Sequence, residues 1–159
     1  MADPSPPALP QKLVAYLFAG APALMLTAGS DGYPASAFTW LVAIDVTRLR
    51  FGVDHGSSSM ANLQRSARLA IQVIGPGDLS FLVKGKARPL KERIAAAQPA
   101  AVMLWEMAVM AVKDQSWPGV ACTALGYEWP VDQREAMLAM EQAVYTEMRA
   151  EPGEFSVIV

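Results

Sequence analysis

The chain has 159 residues, 53% hydrophobic and 18% charged, with a formal net charge of −2 and a pI near 5.4. That acidic balance, with no block of Lys or Arg, excludes electrostatic attraction to nucleic acid or an anionic membrane. One cysteine (Cys122) and one histidine (His55) exclude an internal disulfide and a Cys/His zinc site, so no metal is expected.

A chain this long buries about 70% of its unfolded surface and folds as one domain without staples. Its hydrophobic fraction exceeds the about 45–50% usual for soluble domains, which points to a buried subunit interface. The free cysteine fits a reducing, cytoplasmic setting. The run after Lys12, LVAYLFAGAPALMLTA, has the apolarity of a secretion signal, but Gly20, Pro22 and the following SDGYP turn argue for a folded segment. No apolar run reaches the roughly 18 residues a membrane helix needs.

Residues 1–10, MADPSPPALP, hold four prolines and no apolar period, so a mobile arm is expected before a single domain over 11–159. Residues 11–19 suit a short helix with Leu13, Tyr16 and Leu17 on one face, stopped by Gly20 and Pro22. Residues 23–28 and 34–44 make a first hairpin around Gly29-Ser30-Asp31-Gly32. Two apolar segments, 39–44 and 49–53, flank the turn at 45–48 and make a second. Its exit, Asp54-His55-Gly56-Ser57-Ser58-Ser59, is the most polar cluster in the chain and opens onto a short helix over 61–66.

Farther on, the β-branched run 67–75 is a strand ending in Pro76-Gly77-Asp78. In the next strand, 80–89, Leu82 alternates with Lys84 and Lys86, as on a half-exposed sheet. Residues 90–97 look helical. The apolar run 102–114 fits a buried helix or a strand, and the Trp117-Pro118-Gly119 turn favours 107–112 as a strand pairing with 121–129. A helix over 132–150 follows, with Asp132 as N-cap and Glu135 completing a capping box. Met137, Met140, Val144 and Met148 form its apolar stripe. Residues 155–159, FSVIV, suit one more strand or a segment added to a partner's sheet.

The loop after the second hairpin carries the functional expectation. Hydroxyls and free amides at a helix N-terminus suit an anion such as phosphate, although serines there also serve as plain helix caps. No Ser-His-Asp order, Walker-type loop, dinucleotide glycine fingerprint or HExxH occurs, so hydrolase and nucleotidase chemistry has no residues to stand on.

The order of ALMLTAGSDGYPASAFTW, the Ser-rich loop before Asn62-Leu63, RLAIQV and FLVKGKARPL resembles the pyridoxamine 5′-phosphate oxidase-like family over about residues 11–130. The resemblance implies an α+β fold: a mainly antiparallel, six-stranded split β-barrel with short flanking helices and a C-terminal helix. It also implies a homodimer with FMN in a groove at the subunit interface. On that pattern Phe38, Thr39, Trp40 and Leu41 run along the flavin ring, and His55, Ser57, Ser58, Ser59 and Asn62 hold its phosphate. Lys84, Gln115 and Trp117 are further candidate contacts. Where the family often has Ser-Arg-Lys, this chain has Ser57, Ser58 and Ser59, so hydroxyls replace two cations, and Arg65, Arg68 or Lys84 are left to supply charge. The implied function is an FMN-dependent oxidoreductase acting on a small molecule. The alternatives are a non-catalytic binder of flavin, haem or deazaflavin, and a cofactor-free dimer with a structural or regulatory role. No residue is singled out as catalytic.

Overall fold

In the computed structural model, which describes residues 6–155, six antiparallel strands close into a barrel. The elements are α1 (Gln11–Phe18), β1 (Ala21–Ala28), β2 (Pro34–Ala43), β3 (Arg48–Asp54), α2 (Ser58–Arg65), β4 (Arg68–Ile74), β5 (Ser80–Lys91), β6 (Val102–Asp114) and α3 (Arg134–Arg149). The strand order around the barrel is β1-β2-β3-β6-β5-β4, the α+β split barrel expected from the sequence.

Period-two burial builds the barrel interior. Ala21, Ala23 and Met25 point inward from β1, Leu69, Ile71 and Val73 from β4, and Phe81, Val83 and Ala87 from β5. At Gly85 a side chain is impossible, since an added Cβ would lie 2.2 Å from the Ala108 carbonyl oxygen. A second core lies outside the barrel, where Val144, Tyr145 and Met148 of α3 pack on Val42, Leu104 and Ile94. Burial on both faces explains why Leu41-Val42-Ala43 is a continuous apolar run instead of an alternating one.

Several local expectations are corrected. The run 102–114 is one strand, and its partners are β3 and β5 rather than 121–129. Both edges of β6 are occupied, so residues 121–129 have no ladder to join. They contribute one bridge, Gly77 to Cys122, and the Leu125 amide donates to the Ile74 carbonyl. The helix expected over 90–97 shrinks to a 3-10 turn at Ala95–Ala97, because β5 continues to Lys91 opposite Leu104.

Helix α3 starts at Arg134, with Gln133 at the N-cap and no side-chain cap bond, so the Asp132 capping box does not form. Its buried face is Glu141, Val144, Tyr145, Glu147 and Met148, while Met137 and Met140 are only half-buried. Within the proline-rich arm Leu9 is buried, and its amide donates to the Val46 carbonyl at 2.7 Å. Of the expected C-terminal strand, Phe155 ends a 3-10 turn, Pro152–Phe155, and 156–159 lie outside the described residues. No helix among the described residues is long and apolar enough to cross a membrane.

Candidate functional site

Strands β2 and β3 pair only from Leu41 to Ala43. Beyond Leu41 they part, and the buried Thr39 hydroxyl takes over the bonding. It donates to the Gly52 carbonyl at 2.7 Å and accepts from the Gly52 amide at 3.1 Å. Gly52 permits this close approach, since an added Cβ would lie 2.9 Å from Val102 Cγ1.

A cleft of about 210 Å³ opens where the strands separate. Met25, Ala37 and Val102 line it with apolar surface, and Phe38, Trp40 and Tyr127 add aromatic surface. Its polar side is Asp54, Ser57 and Ser59, at the end of β3 and the start of α2. Gly56, at φ +72°, makes the turn between the two. Ser57 is the N-cap, and its Oγ accepts from the Met60 amide at 3.1 Å.

The cleft therefore brings together Phe38, Thr39, Trp40, Ser57 and Ser59 of the expected site. The other expected residues lie elsewhere. Leu41 is fully buried in the barrel core, and Ser58 faces solvent. His55 Nε2 lies 2.8 Å from the Glu92 carbonyl, which occupies the atom a haem iron would need. Asn62 is structural: its amide nitrogen donates to Thr27 Oγ1, and its oxygen accepts from Arg65, which also reaches the Ala28 carbonyl. Lys84 is exposed on β5 between Ala70 and Ala111. The Gln115 amide donates to the Ser80 carbonyl, and Trp117, 76% exposed, lines a separate depression beside Gly77 and Asp78.

Sequence reasoning missed the group that holds the aromatic wall. Glu141, on the inner face of α3, is 6% exposed. It accepts from Trp40 Nε1 at 3.2 Å, from the Tyr127 hydroxyl at 3.0 Å and from Trp129 Nε1. Trp40 Nε1 also donates to the Tyr127 oxygen at 3.0 Å. Phe38 meets Tyr127 edge-on with ring centroids 5.5 Å apart, and Tyr127 meets Trp129 in the same way at 5.5 Å. Burial, and then the Glu141 charge, push the Tyr127 phenol well above its usual range, so it stays a neutral donor. No Lys or Arg among the described residues pairs with Glu141. The available signal in the sequence was weak: an acid, Glu141, set like Glu147 on the buried face of a helix, and the ring pair of Tyr127 and Trp129 in a loop.

Against the chemistry of FMN this cleft divides in two. Its aromatic half suits a planar ring. Its polar half offers hydroxyls and helix amides but no Lys or Arg among the lining residues, and Asp54 adds a negative charge beside Ser57. A phosphate dianion does not fit that half. The described residues also hold no cluster of three or more His, Cys, Asp or Glu suited to a metal.

The architecture is that of the split β-barrels of the pyridoxamine 5′-phosphate oxidase-like proteins. Among solved structures, an F420 reductase superposes with a TM-score of 0.56 at 16% identity, covering 67% of this chain and all of its own. A candidate pyridoxamine 5′-phosphate oxidase from Lactobacillus delbrueckii gives 0.56 at 15% identity, covering 71% of this chain and 99% of its own. HupZ of Group A Streptococcus gives 0.54 at 11%, covering 73% and 95%. No protein-family model and no curated protein matches the chain in sequence.

Proposed function

We propose that this chain is a flavin-type cofactor-binding protein, an oxidoreductase acting on a small molecule in the cytoplasm, which works as a homodimer. The observation that carries the reading is the cleft itself, where the rings of Phe38, Trp40 and Tyr127 meet the hydroxyl-lined start of α2. Its agreement with the split-barrel neighbours, one of them named an F420 reductase, adds support.

Size supports the dimer. A cleft of about 210 Å³ is smaller than the roughly 300–1,000 Å³ of sites that enclose a small molecule, so a second copy would complete it. Phe38, half-exposed at the rim, and Met110, 55% exposed on β6, are apolar surface available for such a contact.

A bound flavin supplies the electron chemistry. What the chain contributes is placement: Thr39 and Gly52 set the opening, the Glu141 carboxylate holds Trp40 and Tyr127 upright, and the rings exclude water from one side.

The test is an absorption spectrum of the purified protein, alone and after added flavin, followed by NAD(P)H under anaerobic conditions. Flavin bands that bleach support the oxidoreductase. Bands that persist with NAD(P)H support a non-catalytic binder. A colourless protein whose melting point ignores added flavins supports a cofactor-free dimer, the reading favoured by the uncompensated Asp54, because a ligand specific to the folded state must raise stability.

A further inference from the structure

We propose that the cleft selects a planar aromatic ligand without a phosphate, so that among flavins it takes the uncharged riboflavin form in preference to FMN. The inference rests on the flavin reading above and specifies the charge that the site accepts.

Two observations converge. The cleft has no cation among its lining residues, although phosphate recognition draws on Lys or Arg for its strongest bonds. The positive end of α2, the one remaining attraction for an anion, shares the cleft with the carboxylate of Asp54.

Four of the chain's cations are committed elsewhere. Arg65 on α2 binds the Ala28 carbonyl and Asn62, Arg50 is buried against Glu106, and Arg48 pairs with Asp45. Lys91 pairs with Glu147. A dianion in this cleft would meet a fixed negative charge, whereas a sugar-alcohol tail would find hydroxyls and amides able to donate and accept. The ring half is indifferent to this choice, because Phe38, Trp40 and Tyr127 present the same surface to either ligand.

The experiment compares riboflavin with FMN, two ligands with one ring system, by quenching of flavin fluorescence on titration with the full chain. Riboflavin is expected to bind about tenfold or more tightly, the scale of one like-charge contact at the edge of a protein. Residual FMN binding should strengthen as salt is raised from about 0.02 to about 0.3 M, because salt screens a repulsion. Asp54→Asn should bring FMN to within about threefold of riboflavin, since removal of the like charge removes the discrimination. Riboflavin binding by the variant also reports that it is folded; Asp54 is exposed at the end of β3, where the change is tolerated.

Tighter binding of FMN, or FMN binding that weakens with salt, overturns the inference and leaves the flavin reading standing. If neither ligand binds, the flavin reading itself falls, and this inference falls with it.

Discussion

Two buried carboxylates, each 6% exposed, are handled in opposite ways. Glu106 on β6 is held by cations: Arg50 Nε at 2.9 Å, Arg88 at 3.0 Å and Arg48 at 3.9 Å. Glu141 on α3 is held by neutral ring donors, two indoles and a phenol. The first arrangement is a structural knot. Arg50 joins β3 to β6, and its guanidinium also donates to the Met148 and Ala150 carbonyls, closing the C-terminal end of α3. The second arrangement spends a buried charge on orienting side chains that line an open cleft. The contrast shows that burial of an acid does not announce its role; its partners do.

The sharpest way to break the comparison is at Arg50. Arg50→Met should cost about 3–5 kcal/mol in urea unfolding, because it leaves Glu106 buried with only partial compensation and strips two helix-end carbonyls of their donor. Flavin binding by the folded variant should hardly change. A cost under about 1 kcal/mol would mean that Arg88 and Arg48 carry the knot alone.

Next comes Glu141→Ala, which removes the acceptor of Tyr127 and Trp129 and leaves Trp40 only the Tyr127 oxygen. A loss of about 1–3 kcal/mol is expected, together with a red-shifted, weaker tryptophan signal and a clear drop in riboflavin affinity. The two variants should thus reverse their order between stability and binding. An Arg50→Met protein that loses more affinity than Glu141→Ala would remove the distinction drawn here.

The smallest effect is a pH slope. Burial raises the phenols of both Tyr127 and Tyr145, so the folded chain keeps protons that the unfolded chain releases as it passes about pH 10. Native protein then binds more protons than unfolded protein, and stability is constant below that point and falls above it. Urea midpoints at about pH 9 and about pH 11 measure the slope, which Tyr127→Phe should flatten. An unaltered slope in that variant would place Tyr127 in solvent rather than against Glu141.

Legibility followed distance along the chain. The hairpin turns and α1 were readable because each depends on neighbours within a few residues, whereas α2 starts at Ser58, ahead of the expected 61. The fate of 107–112 was misjudged since an apolar run has the same composition whether it pairs forward or backward. Its true partners lie upstream on two different strands, Leu49 of β3 opposite Met107 and Val83 of β5 opposite Val112. His55, Asn62 and Lys84 entered as candidate contacts through the family resemblance. The structure gives the first two other partners, Glu92 and Thr27, and sets Lys84 on a separate face.

The amino-acid order by itself determined the strand period, the turn glycines and a Ser57 cap placed beside an aromatic strand, all short-range consequences of sterics and local hydrogen bonding. Closure of the barrel decided the rest. With both edges of β6 taken by β3 and β5, the segment after it could not add a strand, and it instead carries Tyr127 to the cleft. There Trp40 meets partners 87 and 101 residues away, a meeting that only a folded chain can specify.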